Sequence, residues 1–136
     1  MKREFYPNVQ KKDLFKEGYI ADKSSHTRGS TLDLTIVSLP LKEQEEFHPG
    51  QKLCDCTLPA AKRLRDNSLD MGTGYDCFDT LSWTESKGIN AEQMEKRMLL
   101  RSVMEKHGFK NYKKEWWHFT LRDEPYPDTY FDFLIK

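Results

Sequence analysis

The chain has 136 residues, with 22 Lys and Arg against 22 Asp and Glu, and 12% of its residues are aromatic. This length predicts one domain able to bury roughly two-thirds of its unfolded surface, and a net charge of zero gives no overall attraction to nucleic acid or anionic membranes. No apolar run approaches the ~18 residues of a membrane span, and no signal peptide is predicted at Met1. The odd number of cysteines suggests reduced thiols and hence a cytoplasmic protein.

Short elements open the chain. Residues 11–17 predict about two helical turns, closed by Gly18 at a position that favours left-handed dihedrals. Residues 30–38 alternate between two faces and are rich in β-branched side chains, which predicts a strand that ends before Pro40. One face of this strand holds Leu32, Leu34 and Ile36, and the other holds Asp33, Thr35 and Val37.

The middle of the chain, residues 41–70, is charged and irregular. Cys54 and Cys56 are spaced like a metal-binding pair, but no second pair follows at zinc-finger spacing, so the pattern favours ordinary cysteines. Residues 70–83 predict a loop packed against the core. Within this loop, the bland interpretation of Asp76 is a turn carboxylate that accepts a backbone N–H, and the alternative is a binding residue.

The clearest predicted helix begins after Asn90. Asn90 is a favourable N-cap with Gln93 three residues on, and Gly108 ends the helix. His107, near the C-terminal end, interacts favourably with the helix dipole, which explains this residue without a catalytic role. The apolar face predicted to pack on the core consists of Met94, Met98, Leu99, Leu100, Val103 and Met104.

Two further strands are predicted near the C-terminus. Residues 116–121 are aromatic and β-branched, and residues 130–135 alternate in polarity. Neighbouring side chains on a strand face opposite sides. One of Trp116 and Trp117 is therefore expected to form the floor of a site pocket, and the other to pack under the helix.

Two distant stretches carry metal-binding residue types. His26 and Asp33 flank a turn that Gly29 allows, and Glu115 and His118 lie far downstream. Two imidazoles and a carboxylate can hold zinc with one position open for water, and a free carboxylate can act as the base. On a regular strand Glu115 and His118 would face opposite sides, so we predict a bend at Glu115. The alternative is a core His–Asp pair without metal.

The motifs Ser-x-His-x-x-Gly-x-x-x-Asp (residues 24–33) and Glu-x-x-His (residues 115–118) resemble those of the VanX-type D-alanyl-D-alanine dipeptidases. This zinc peptidase group includes D-Ala-D-Ala carboxypeptidases, lysostaphin-type enzymes and hedgehog domains. The similarity continues through Arg-Asp-Glu-Pro-Tyr-Pro (residues 122–127). It implies an α+β fold in which a small antiparallel sheet carries the zinc site and helices pack on one face. It also implies that His26, Asp33 and His118 bind one Zn²⁺, that Glu115 is the catalytic base, that Asp76 holds the substrate ammonium, and that Ser24 and Ser25 line the substrate site.

One family feature does not occur in these 136 residues. Family members carry an N-terminal Asp-Gly-Tyr-Arg-Pro-like segment whose Arg stabilises the charge on the cleaved carbonyl, and no Tyr-Arg-Pro occurs here. We therefore expect a single domain, residues 1–136, that is N-terminally truncated relative to the family, with activity reduced ~100- to 1000-fold. Arg28 and Arg122 are candidate substitutes. An uncovered sheet edge would favour a homo-oligomer.

The sequence thus favours a zinc-dependent dipeptidase that hydrolyses D-alanyl-D-alanine or a similar small D,D-dipeptide in cell-wall metabolism or glycopeptide resistance. One alternative is a peptidase acting on peptidoglycan stem peptides. The other is a catalytically impaired homologue that binds zinc and serves as a binding module. No nucleic acid or membrane partner is expected.

Overall fold

The computed structural model of the protein describes residues 2–41, 44, 46, 48–52, 54–63 and 66–133. Within these ranges the helices are α1 (Lys2–Phe5) and α2 (Ala91–Lys106), and the strands are β1 (Thr31–Asp33), β2 (Phe109–Asn111) and β3 (His118–Leu121). Single 3-10 turns occur at Lys11–Asp13, Ser25–Arg28, Ala60–Lys62 and Thr80–Ser82. The described part of the chain contains no helix that combines the length and apolar character needed to cross a bilayer.

The strands form one antiparallel sheet in the order β1-β3-β2. Asp33 lies directly opposite His118, and Leu32 lies directly opposite Phe119. Residues that face each other across an antiparallel pair project to the same side of the sheet. Asp33 and His118 therefore share one face, and Phe119 projects to the other.

The second face of the sheet packs into the core. Phe119 is fully buried and clusters with Leu100 and Met104 of α2, so α2 and the Asp33–His118 pair lie on opposite faces. The buried hydrophobic cluster consists of Cys56, Met71, Cys77, Leu100, Met104, Trp116, Trp117 and Phe119. The fold is a small mixed α+β arrangement, as predicted, although α2 is the only helix longer than one turn among the described residues.

Both tryptophans belong to this core, which corrects the expectation that one of them forms the floor of the site pocket. Trp116 is 1% exposed and Trp117 is fully buried. Trp116 Nε1 donates a hydrogen bond to Thr73 Oγ1 at 2.9 Å, and the two indole rings meet edge to face. Strand alternation does not apply to this pair, because both residues lie in the turn before β3.

Helix α2 begins after Asn90, as the sequence predicted. Asn90 Oδ1 accepts a hydrogen bond from the Gln93 N–H at 2.9 Å, and Gln93 Oε1 accepts one from the Asn90 N–H at 3.0 Å. This reciprocal capping box satisfies two of the donors that a helix leaves unpaired. After the helix, Gly108 has the left-handed φ of +88° expected at its end.

The apolar face of α2 is narrower than predicted. Leu100 and Met104 are buried, but Leu99 and Val103 are about half exposed. The third buried residue of α2 is charged, which the hydrophobic pattern does not predict: Arg97 is fully buried. Its Nε donates to the Met71 carbonyl at 2.7 Å and its Nη1 to the Trp83 carbonyl at 2.6 Å. The guanidinium thus joins the helix to both ends of the loop at residues 71–83.

Three predicted elements are shorter than expected or absent. The strand predicted at residues 30–38 is limited to β1 and one isolated bridge between Val37 and Ser68. Residues 11–17 form a 3-10 turn at Lys11–Asp13 instead of a helix, although Gly18 has the predicted left-handed φ of +76°. Residues 130–133 form no strand, and residues 134–135 of that prediction lie outside the described residues.

The short β1 has an identifiable cause. Its ladder with β3 ends where the Leu34 N–H donates to the Trp117 carbonyl, because residues 115–117 turn away from the sheet direction. The turn that places Glu115 therefore also limits the length of the strand pair.

The cysteines do not match the prediction of reduced thiols. Cys56 and Cys77 form a disulfide, and Cys54 is free and exposed. The Gly74 N–H donates to the Cys56 carbonyl at 2.8 Å, which holds the two loops side by side. Because Cys56 is oxidised, it cannot form a metal pair with Cys54. An odd cysteine count is equally compatible with one bridge and one thiol, so the count alone could not decide.

Candidate metal centre

His26 reaches the site through a tight turn. The 3-10 turn Ser25–Arg28 is followed by Gly29 with a left-handed φ of +77°, which bends the chain into β1. Ser24 Oγ accepts the His26 N–H at 3.3 Å and caps the start of the turn. His26 Nε2 consequently lies 3.4 Å from Asp33 Oδ2, as the glycine and the spacing predicted.

His118 completes the cluster from the neighbouring strand. Its Nδ1 lies 3.0 Å from Asp33 Oδ1, because the two residues are opposite each other in the β1–β3 register. The His26 and His118 rings are 4.9 Å apart at an interplanar angle of 88°. One ligand atom from each of His26, Asp33 and His118 lies within 4.8 Å of the others.

The polar atoms of this cluster fit a divalent metal. Asp33 Oδ1 is buried and accepts no hydrogen bond from any described residue, although it is close to His118 Nδ1. A buried carboxylate oxygen without a donor is costly unless a cation neutralises it. Two imidazole nitrogens and one carboxylate oxygen form a ligand set that zinc accepts.

Glu115 lies beside the cluster, on the predicted bend. Its N–H donates to the Tyr112 carbonyl at 2.9 Å, and its own carbonyl accepts the His118 N–H at 3.3 Å. Glu115 Oε2 is therefore 3.4 Å from His118 Nδ1, although the two residues are only three apart in the chain. The carboxylate is 5% exposed. Burial raises the pKa of Glu115 to about 8, and the negative charges of Asp33 and Asp76 add to the increase.

Asp76 faces the same cleft from the loop at residues 71–83. It has a left-handed φ of +58°, a conformation that aspartate tolerates better than most residues. Burial raises its pKa and the charge of Asp33 raises it further, whereas His26 and His118 lower it. These couplings agree with a position close to the metal cluster, as the sequence resemblance implied.

The cleft around these residues has a volume of about 850 Å³. Ser24 and Ser25, the serines that the resemblance assigns to the substrate site, line this cleft. Ser24 Oγ also has a local role as the cap of the His26 turn. The cationic residues that line the cleft are Lys23, Lys110 and Arg122.

The candidate arginines have different environments. Arg28 makes two hydrogen bonds to the carboxylate of Glu124, so its guanidinium is already paired. Arg122 lines the cleft, and its Nε donates to the Phe109 carbonyl at 3.1 Å. Of the two, Arg122 has more of its hydrogen-bonding capacity free for a ligand.

Tyr112 and Glu124 line the cleft but were not singled out from the sequence. The Tyr112 ring lies 5.7 Å from the His118 ring, and its hydroxyl donates to the Gly18 carbonyl. Tyr112 follows Lys110 at the two-residue spacing of a strand, and that spacing could have placed it on the site face. Glu124 lies within the Arg-Asp-Glu-Pro-Tyr-Pro segment that carried the resemblance.

The fold and the site define a mixed α+β protein in which a His–Asp–His cluster that could hold a metal ion lies beside a buried glutamate. The family model described as D-ala-D-ala dipeptidase matches residues 42–136, which include Glu115 and His118. The chain therefore belongs to the D-ala-D-ala dipeptidase family.

Similar proteins extend the match to the N-terminal half of the site. The chain is 38% identical over 135 residues to a D-alanyl-D-alanine dipeptidase of Enterococcus faecalis (strain ATCC 700802 / V583), covering 99% of the chain and 55% of the relative. Identity and coverage are the same for a D-alanyl-D-alanine dipeptidase of Enterococcus faecium. A Streptomyces coelicolor protein of the same name is 37% identical over 134 residues, 98% of the chain and 54% of the relative. The chain thus spans about half the length of these relatives.

Proposed function

We propose that this protein is a zinc-dependent dipeptidase that hydrolyses D-alanyl-D-alanine or a similar small D,D-dipeptide, in cell-wall metabolism or glycopeptide resistance. The observation that carries the proposal is the clustering of His26, Asp33 and His118, with ligand atoms within 4.8 Å of one another. Membership of the D-ala-D-ala dipeptidase family supports the choice of substrate.

In this proposal His26, Asp33 and His118 hold Zn²⁺, and Glu115 is the base. Zinc held there would supply Lewis acidity, which would lower the pKa of a bound water to about 7 and would polarise the scissile carbonyl. The Glu115 carboxylate accepts a proton from the attacking water and delivers it to the nitrogen of the leaving amine. Burial raises the pKa of Glu115 to about 8, which gives its carboxylate a high affinity for the proton that it would accept.

Substrate recognition is assigned to Asp76, Ser24 and Ser25. The Asp76 carboxylate would pair with the free ammonium of the substrate, and the two serines would line the space for the rest of it. Selection of a free amino terminus favours a dipeptide over a polymer. For this reason, and because the relatives are named dipeptidases, we favour the free dipeptide over a peptidoglycan stem peptide.

The remaining sequence predictions stay predictions. These are a single domain over residues 1–136, a homo-oligomer and a cytoplasmic location. The Cys56–Cys77 disulfide weighs against the cytoplasm, where thiols are kept reduced.

The test is hydrolysis of D-alanyl-D-alanine by the purified chain with and without zinc. We expect zinc-dependent release of D-alanine, and a kcat reduced about 100- to 10,000-fold in Glu115→Gln, because this change removes the general base. Zinc content should remain one per chain in that variant. Glu95→Gln, at an exposed position on α2, is the matched control and should behave like the wild type.

Two results would contradict the proposal. Wild-type turnover equal to that of Glu115→Gln, with zinc bound, would favour a zinc-binding module without catalysis. Cleavage of a stem peptide with no cleavage of the free dipeptide would favour the stem-peptide peptidase.

A further inference from the structure

A polar contact joins the His26 turn to the segment that follows β3. Arg28 Nε donates to Glu124 Oε2 at 2.7 Å, and Arg28 Nη2 donates to Glu124 Oε1 at 2.8 Å. Ser30 Oγ donates to Glu124 Oε2 at 2.5 Å. Arg28 and Glu124 are 96 positions apart in the chain, and each side chain is 15% exposed. Two parallel N–H···O bonds fix the orientation of such a pair as well as its distance.

The turn that presents His26 has little apolar support. None of the residues in Ser25–Arg28 is buried. A Cβ added at Gly29, the bend into β1, would meet no atom of a described residue within 4 Å, so the space beside this glycine is open. Arg28 precedes Gly29 and Ser30 follows it, so Glu124 is bonded to both sides of the bend.

The segment after Glu124 adds further contacts to the same turn. The Phe131 N–H donates to the Thr27 carbonyl at 2.8 Å. The Arg28 guanidinium lies 5.7 Å from the centre of the Tyr130 ring, within the range of a cation–π contact. The turn therefore meets residues 124–131 through one carboxylate, one backbone bond and one aromatic ring.

We propose that Arg28 and Glu124 are positioning residues that hold His26 at ligating distance from Asp33 and His118. Neither residue contacts the cluster itself. Their role is to fix the conformation of an exposed turn, so that the metal does not have to order the turn when it binds. The inference rests on the proposed zinc site, but it does not depend on peptidase activity.

The test measures zinc affinity in the absence of substrate, by competition with a chromophoric chelator. Glu124→Gln and Arg28→Lys should each raise the zinc Kd about 10- to 100-fold, the usual effect of residues that orient metal ligands. Arg28→Lys keeps the charge and removes only the two-pronged geometry. The matched controls are Arg101→Lys and Glu105→Gln, which alter an equally close Arg–Glu pair on α2 and should leave the Kd unchanged.

Each outcome decides the question. An unchanged Kd in both folded variants would overturn the proposal, as would an equal rise in the α2 controls. If circular dichroism shows that Glu124→Gln does not fold, Arg28→Lys decides alone. Ser30→Ala supports it, because this change removes one hydrogen bond to Glu124 and should raise the zinc Kd by a smaller factor.

A wild type that binds zinc tightly without hydrolysing D-alanyl-D-alanine would contradict the proposed function and leave the positioning role intact. A wild type that binds no zinc would overturn both.

Discussion

At the scale of single residues, the site concentrates negative charge in a confined space. Burial raises the pKa values of Glu115 and Asp76, and the charge of Asp33 raises both further. His26 and His118 oppose the rise in the pKa of Asp76 only in part. A divalent cation would neutralise the carboxylates, so the groups that repel each other favour metal binding.

Asp76→Asn tests the recognition of the substrate ammonium. Loss of the charge should raise the KM for D-alanyl-D-alanine about 10- to 100-fold and change kcat less, since a hydrogen bond between charged groups contributes about 1.5–3 kcal/mol. Steady-state kinetics on the zinc-loaded protein provides the measurement. Asp22→Asn, at an exposed position, serves as the control. A KM equal to that of the wild type would remove Asp76 from substrate binding.

The sequence predicted the individual site residues better than their surroundings. His26, Asp33, Glu115 and His118 could be found because zinc chemistry restricts the residue types and the motifs fix their spacing. The pairing of Arg28 with Glu124 could not be found in this way, because 96 intervening residues separate them and no local rule connects them.

At the scale of elements, the loop at residues 71–83 depends on α2 for its shape. Arg97 satisfies the carbonyls of Met71 and Trp83 from a fully buried position. Burial lowers the pKa of Arg97 to about 10, and the charge of Asp70 opposes this effect only in part. The loop carries Asp76, so the helix also supports one wall of the site.

Arg97→Met should lower the free energy of unfolding by about 2–4 kcal/mol, because it removes a buried hydrogen bond to the Met71 carbonyl and a part-buried one to the Trp83 carbonyl. Arg101→Met is the control on the same helix. Arg101 is more exposed and pairs with Glu85 and Glu105 at the surface, so its loss should cost less than about 1 kcal/mol. Urea unfolding of both variants gives the comparison. Equal losses of unfolding free energy in the two variants would show that the hydrogen bonds of Arg97 stabilise the fold no more than the surface ion pairs of Arg101 do.

The elements that the sequence predicted correctly are those with local causes. The capping box of α2 involves residues three apart, and Gly108 and Gly18 act through their own φ angles. The length of β1 instead depends on where β3 begins, and β3 begins after a turn that serves Glu115. Buried Arg97 was missed because a hydrophobic pattern assigns charged residues to solvent.

At the scale of the whole molecule, the metal site joins parts of the chain that are far apart in sequence. Its candidate ligands come from the His26 turn, from β1 and from β3. A metal held by all three would bind the folded state and not the unfolded one. Binding of this kind adds about 4 kcal/mol of stability when free metal is 1000 times its Kd.

Removal of zinc with a chelator should therefore lower the Tm by about 10 to 20 °C under such conditions. Differential scanning calorimetry with and without added zinc provides the measurement. In Asp33→Asn, which weakens one ligand, the same treatment should shift the Tm far less. A chelator effect of equal size in wild type and Asp33→Asn would place the stabilising metal elsewhere.

Asp33 and His118 lie opposite each other in the β1–β3 ladder, so metal binding at this site would depend on the correct register of the two strands. A slip of one residue between the two strands would set Leu32 or Leu34 opposite His118 and turn Asp33 to the other face. Leucine offers no ligand atom, so a misaligned pair could not coordinate zinc. Zinc uptake during refolding, followed by competition with a chromophoric chelator, would consequently report that the strands have aligned correctly.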